Sequence, residues 1–269
     1  MTRMVGSFKK ARMWTYYADL LAKPVPRYTS YPTAAEFGGI DTGLYRRALG
    51  EAKGDISLYI HIPFCEKICF YCGCNTAASG RRQRLETYLA ALHREIELVG
   101  SLLPKSARIA RIAFGGGSPN AIEPRDFGRL IDSLFANLPV TTPTFSIELD
   151  PRTMTREWAE IIGQVGIERA SLGVQTFAAQ CQEAIGRVQS EDCIVQTVDW
   201  LRGAGVASLN FDLMYGLPGQ SMHDLEDSLQ RTGALGADRI ALFGYAHVPH
   251  IVPRQRVIDG SKLPGQRER

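Results

Sequence analysis

At 269 residues, 45% hydrophobic and 22% charged, the chain can bury a sizeable core and has the composition of a globular protein in water. Its net charge of +3 is too small to imply a nucleic-acid partner. No apolar run reaches the roughly 18 residues of a membrane span.

Residues 1–54 read as an N-terminal arm. The opening stretch MTRMVGSFKKARMWTYYADL is basic but has no apolar core and no clear cleavage site. It is expected to be a surface segment, with a transit peptide as the alternative. Residues 55–246 then alternate short apolar runs with amphipathic stretches. ISLYIHI (56–62) is expected to be a buried strand, and residues 81–100 a helix, because Leu85, Tyr88, Leu89, Leu92, Ile96 and Val99 recur at helical spacing. A strand near 109–114 is followed by a helix near 123–137. The strand TFSIEL (144–149) is followed by a helix near 155–165. ERASLGV (168–174) is a strand with helical material to about 203, ASLNFDLMYG (207–216) a strand with a helix over 223–236, and RIALFGY (239–245) a sixth strand. This alternation implies α/β architecture: a parallel sheet with right-handed crossovers. Six units give a partial, open (β/α)6 barrel, where eight would close one. Residues 247–269, rich in Pro, Arg, Gln and Gly without periodicity, read as a connecting tail.

Polar or glycine-rich positions collect at the strand ends: Gly115-Gly116-Gly117, Glu148, Gln175, Asp212 and Tyr245. Each alone is explained by a turn or a helix cap. Gathered on one face, the C-terminal face of such a barrel, they point to a site.

The densest chemistry lies after the first strand. Cys65, Cys69, Cys72 and Cys74 fall within ten residues of YIHIPFCEKICFYCGC, while Cys181 and Cys193 stand apart and read as inert packing. A secreted disulfide scaffold would be short and spread its cysteines, so the cluster indicates a metal site in a reducing cytoplasm. C-x3-C-x2-C supplies three corners of a [4Fe-4S] cluster and leaves one iron open. Structural zinc is the alternative, although zinc knuckles come as separated pairs. Tyr71 would shield a cluster from water. Cys74, one residue beyond Cys72, is strained as a fourth ligand and reads as a catalytic or second-sphere thiol.

The loop resembles the CxxxCxxC signature of the radical S-adenosylmethionine superfamily. More narrowly, YIHIPFCEKICFYCGCN resembles the oxygen-independent coproporphyrinogen III oxidases, and so do KPVPRYTSYPTAAEF (23–37), FGGGSPN, SIELDPR, LGVQTF, FDLMYGLPGQ and YAHVPH. The resemblance runs from about residue 22 to 258. It implies that Cys65, Cys69 and Cys72 hold the cluster and that the open iron takes the amino and carboxylate groups of S-adenosyl-L-methionine. One electron from an unidentified donor then gives a 5′-deoxyadenosyl radical. That radical takes hydrogen from two propionates of coproporphyrinogen III in turn; carbon dioxide leaves and vinyl groups remain, giving protoporphyrinogen IX.

The same resemblance makes Gly116, Gly117, Ser118, Glu148, Gln175, Arg187 and Asp212 cofactor contacts. Ser118 keeps the hydroxyl of the threonine common there, and Arg187 is suited to a carboxylate. Tyr59, Tyr71 and Ala246 match further cofactor-lining positions. Arg27 and Tyr28 in PRYTSYP would meet the tetracarboxylate substrate. His61 is expected to be a satisfied histidine on the first strand, His93 solvated, and His247 and His250 are secondary substrate candidates. A monomer is expected. A haem-delivery branch of the same family, whose loop usually lacks the fourth cysteine, is the alternative function. Family members continue well past residue 269, so part of the substrate enclosure is expected to be missing and a sheet edge left open, and an inactive truncated product is the remaining alternative.

Overall fold

The computed structural model describes residues 17–21, 31–33, 36–80, 82–265 and 267–269. The chain divides into two compact units, Met1–Gly39 with Pro264–Arg269, and Ile40–Leu263. In the first, Ala18–Leu21 form a helical turn and the Thr33 amide donates to Glu36 Oε2 at 2.9 Å. Arg27 and Tyr28 lie outside the described residues.

The second unit is built on one six-stranded parallel sheet. Its strands are β1 (Gly54–Ile62), β2 (Ala107–Gly116), β3 (Val140–Leu149), β4 (Arg169–Gln175), β5 (Ser208–Tyr215) and β6 (Arg239–Gly244), in spatial order β1 to β6. Every neighbouring pair is parallel and consecutive. The crossovers carry α2 (Arg82–Leu102), α3 (Pro124–Asn137), α4 (Arg156–Val165), α5 (Ala179–Ala184), α6 (Glu191–Gly203) and α7 (Met222–Ala234), after an initial α1 (Thr42–Gly50). The sheet curls into a half-barrel. Each expected strand is present, and observed limits differ from the expected ones by a few residues.

Local chemistry fixes the helix ends. Thr155 caps α4 by accepting from the Trp158 amide, and the helix stops at Gly166, whose left-handed φ of 75° a side chain would disfavour. Ser221 and Asp224 form a reciprocal capping box at the start of α7. The helical material expected after β4 is two helices, because Gly186 at φ 65° breaks it.

The two faces of the sheet differ in character. Ile60, Ile112, Phe114, Ile147, Leu172 and Phe211 point outward and pack against Leu92, Phe127, Trp158, Ile162 and Leu201 of the helices. The inner face carries polar side chains instead: Tyr59, Ser146, Glu148, Ser171, Asn210 and Asp212. Period-two alternation thus sorts each strand into a dry face and a wet one. A second apolar cluster of Cys181, Ile185, Met214, Leu217, Tyr245 and Ile258 sits beside the loop that carries the cysteines, and Phe70 and Tyr71 of that loop pack on it.

Among the described residues no strand pairs with the outer edge of β6, and Ile240, Leu242 and Phe243 are each about half exposed. The segment after β6 has more structure than its sequence suggests. Pro253–Val257 and Gly260–Lys262 form short 3-10 turns, and Gln255, 2% exposed, donates to the carbonyls of Tyr71 and Ala246. No helix among the described residues is long and apolar enough to cross a membrane.

Candidate functional site

The cysteine loop leaves β1 at Ile62 and is pinned by backbone hydrogen bonds. Phe64–Cys65 pairs in parallel with Ala77–Ala78, closing the loop on itself. The Ser118 amide donates to Phe64 O at 2.7 Å, and the Phe70 amide to Ile185 O at 2.9 Å. These bonds direct Cys65, Cys69, Cys72 and Cys74 into one cavity of about 270 Å³ at the C-terminal ends of the strands. Gly116, Gly117, Ser118, Glu148, Gln175, Arg187, Asp212 and Tyr71 border the same cavity. Residues spread over nearly 150 positions of sequence, from Cys65 to Asp212, therefore converge.

Tyr59 and Ala246 do not line it. Tyr59 is exposed on the inner face of β1 and donates to or accepts from His61 Nδ1 at 3.1 Å; Ala246 is exposed, with its carbonyl on Gln255. Tyr245, expected on the reactive face, is 2% exposed inside the second apolar cluster. It falls one residue past the end of β6, so the strand's alternation no longer fixes its direction. His61 is half-buried and satisfied, its other nitrogen on Asn75 O at 3.2 Å. His93 is half-buried rather than fully solvated; His247 meets the Tyr245 hydroxyl at 2.9 Å, and His250 is exposed. Cys181 is fully buried, and the Cys193 thiol donates to Pro151 O at 3.1 Å.

The glycine run serves contacts within the protein. A Cβ on Gly115 would stand 2.7 Å from Glu148 Oε2, on Gly116 2.7 Å from the His61 ring, and on Gly117 2.6 Å from Phe64 O. Gly116 also has φ 118°, closed to other residues. The run lets the end of β2 lie against the start of the cysteine loop and leaves the Gly116 amide free to reach Glu148 Oε2 at 3.3 Å. Gly117→Ala is expected to destabilise the chain by about 3 kcal/mol, since the obstacle is backbone and cannot rotate away. An unchanged urea midpoint would contradict this.

Ser118 and Arg187 are held by neighbours that the sequence reading passed over. The Ser118 hydroxyl donates to Asn120 Oδ1 at 2.7 Å. Asn120, 3% exposed, also accepts from the Asp150 amide and donates to the Asp150 carbonyl, tying β2 to β3. Arg187, 6% exposed, finds a carboxylate in Asp150: Nη2 reaches Oδ1 at 3.1 Å, Nε reaches Gly173 O at 3.0 Å and Nη1 reaches Cys69 Sγ at 3.4 Å. On the other side Arg152 Nη2 meets Asp150 Oδ2 at 2.6 Å and Cys69 Sγ at 3.5 Å. Two guanidiniums thus share one carboxylate beside one sulfur. The signal for it stood in SIELDPR, where Asp and Arg follow the last strand residue.

Electrostatics follow from burial and these contacts. Burial would raise the Asp150 carboxyl, but the hydrogen bonds from Arg152 and the charge of Arg187 outweigh it and hold the group below its usual range. Glu148 and Asp212 are raised, chiefly by burial. Asp212 also accepts from Ser171 and Asn210, at 3.0 and 2.8 Å. Burial, aided by the neighbouring thiols, pushes Cys65 up to about 11. Cys72 is lowered to about 6 by the hydrogen bond from Cys74, whose own thiol is raised by that bond. Gln175 sits at the end of β4 with φ 70°, a left-handed backbone unusual for a side-chain-bearing residue, and borders the cavity. Among the described residues no group of three His, Cys, Asp or Glu is arranged to hold a single metal ion.

Comparison with known proteins agrees with this geometry. The family model for the radical SAM superfamily matches residues 59–232. An oxygen-independent coproporphyrinogen III oxidase of Bradyrhizobium diazoefficiens is 43% identical over 246 residues, 89% of this chain and 54% of that relative. One from Synechocystis is 36% identical over 94% of this chain and 56% of its own length. The solved coproporphyrinogen III oxidase of Escherichia coli, described as a radical SAM enzyme, superposes with a TM-score of 0.87 at 33% identity, over 94% of this chain and 58% of that one. A radical S-adenosylmethionine methyltransferase of Kitasatospora setae shares the fold at a TM-score of 0.57 and 17% identity. The chain spans little more than half the length of the oxidases it matches. With its half-barrel, its cysteine loop and a family match over most of its sheet, the chain belongs to the radical SAM superfamily.

Proposed function

We propose that this chain is the cluster- and S-adenosylmethionine-binding part of an oxygen-independent coproporphyrinogen III oxidase. Its substrate is then coproporphyrinogen III, with an external one-electron donor, in a reducing cytoplasm that suits six free thiols. The observation that carries the reading is the convergence in one cavity of three thiols at C-x3-C-x2-C spacing with acceptors from three different strands.

The donor set fits a cluster. Burial, with the neighbouring thiols, opposes ionisation of Cys65, and irons among the three sulfurs would hold all of them as thiolates. The guanidiniums of Arg187 and Arg152 at Cys69 Sγ offset the negative charge that results. Cys65, Cys69 and Cys72 would hold the cluster, leaving an iron for S-adenosylmethionine. When bound, the pair supplies a one-electron cleavage that delivers a hydrogen-abstracting agent for the propionate side chain.

The protein's own residues bind and orient. Glu148 and Asp212 offer acceptors for an ammonium and for ribose hydroxyls, and their burial strengthens any such pairing once both are ionised. Gln175 adds an amide from its strained strand end. The packing of Phe70 and Tyr71 on the second apolar cluster keeps water from one side of the cysteine loop. Cys74 is exposed and borders the cavity two residues beyond Cys72, which places a further thiol beside the three proposed ligands.

The reading is tested by anaerobic reconstitution with iron and sulfide, reduction, and addition of S-adenosylmethionine. Formation of 5′-deoxyadenosine is expected. Its absence from protein that carries a four-iron cluster would sink the proposal. Addition of coproporphyrinogen III is expected to release carbon dioxide; 5′-deoxyadenosine without carbon dioxide would remove the oxidase assignment and keep the cofactor chemistry.

A further inference from the structure

Arg152 presents a buried donor that no partner among the described residues uses. Its side chain is 12% exposed, and its Nε and Nη2 are fixed on Asp150 by bonds of 2.6–3.1 Å. Nη2 reaches Lys67 O at 3.3 Å and Cys69 Sγ at 3.5 Å as well. Nη1 is buried and has no hydrogen-bond partner among the described residues. Among the described residues, two other buried side-chain atoms share that condition, Gln189 Oε1 and Thr232 Oγ1, and neither residue borders the cysteine cavity. Arg152 does.

Leaving a charged donor desolvated and unmet is costly, and native proteins rarely tolerate it without a ligand. The companion guanidinium does not share the problem. Arg187 has its Nε and Nη2 on Gly173 O and its Nη1 divided between Cys69 Sγ and Asp150. Asp150 in turn cannot swing away, because Asn120 holds both its amide and its carbonyl. The Arg152 fork is therefore immobilised with one donor on a cysteine sulfur and its remaining donor unspent.

We propose that the guanidinium of Arg152, which already reaches Cys69 Sγ through Nη2, donates a hydrogen bond to the sulfurs of the cluster that Cys69 helps to hold, and that this bond raises the cluster's reduction potential. The inference rests on the cluster assignment made above. Its physics is direct: the cluster gains one electron on reduction and no proton, and a fixed cation and donor at its sulfurs favour the more negative state. Arg152 is thus a tuning residue of the reduction step, set by Asp150.

The test compares wild-type, Arg152→Gln and Arg152→Lys protein, reconstituted anaerobically and titrated with dithionite under EPR before any S-adenosylmethionine is added. Omitting the sulfonium compound separates a bond to the cluster from a bond to the cofactor's carboxylate. Arg152→Gln is expected to lower the equilibrium constant for reduction about tenfold, a potential more negative by about 59 mV for a one-electron couple. Equal potentials with full iron content in both proteins would overturn the inference and leave the cluster assignment intact. Failure of the wild type to take up iron would overturn the cluster assignment itself. Should Arg152→Gln not assemble, wild-type and Arg152→Lys protein carrying 15N-guanidinium arginine are compared by pulsed EPR. A weaker 15N coupling in the lysine variant supports the bond, and equal coupling overturns it.

Discussion

Cys69→Ala is expected to abolish cluster assembly while leaving the polypeptide folded. Cys69 is 5% exposed, but the loop around it is fastened through main-chain atoms: Phe70 N to Ile185 O, Cys72 N to Cys69 O, and Ser79 N to Cys65 O. None of those bonds uses the sulfur. Its removal sacrifices one small packing contact and the acceptor of two long guanidinium bonds, from Arg187 Nη1 and Arg152 Nη2, whose guanidiniums stay paired with Asp150, a loss of about 1–2 kcal/mol. Two thiols remain, and two corners do not secure a cube against iron loss. Iron and acid-labile sulfide should fall to background, with 5′-deoxyadenosine falling alongside. Cys74→Ala provides the contrast, because the thiol of Cys74 is exposed and its alanine variant is expected to keep its iron. Iron analysis and the visible absorption band report both outcomes. Full iron in Cys69→Ala would refute the ligand assignment, and loss of iron in Cys74→Ala would make Cys74 a ligand.

What the sequence revealed depended on whether a signal was local. Runs such as ISLYIHI and TFSIEL carry both the strand and its parity, so the order of the sheet and the position of the cysteine loop after β1 could be read directly. The cysteine spacing is equally local. Helix α1 escaped notice: TGLYRRALG buries none of its residues, so no apolar stripe marks it, and its main signal is Asp41 capping the Leu44 amide. The stretch after Ala246 has no period because its order comes from Gln255, a polar side chain used as a buried anchor. The Asp150 network was hidden for a different reason. Its partners stand 30 residues back in the glycine loop region at Asn120, 37 residues ahead at Arg187 and far upstream at Cys69, and only the stacking of consecutive strand ends brings them together. The resemblance could assign Arg187 a carboxylate of the cofactor; the contact with the protein's own Asp150 carried no local signal.

That carboxylate supports the second large effect. Asp150→Ala is expected to cost about 3–5 kcal/mol, because it leaves two guanidiniums, Arg187 at 8% and Arg152 at 12% side-chain exposure, without their counter-charge. The loss also removes the acceptor for the Arg152 amide at the head of the Pro151–Thr153 turn. Asp150→Asn keeps an acceptor there and should cost less, which separates geometry from charge. The pH dependence has a definite sign. The carboxyl of Asp150 is depressed in the folded chain relative to an ordinary aspartate near 3.9, so the folded state holds fewer protons than the unfolded state in the window between the two values. Its contribution is therefore complete above about pH 5, declines as the pH falls below about 4, and is gone once the pH passes beneath the depressed folded value. Urea unfolding of wild-type and Asp150→Asn chains across this range should show a stability gap that is constant near neutrality and closes in acid. A gap that persists unchanged to low pH would mean that the two arginines do not depend on the charge of Asp150, and the proposed clamp on Cys69 would lose its anchor.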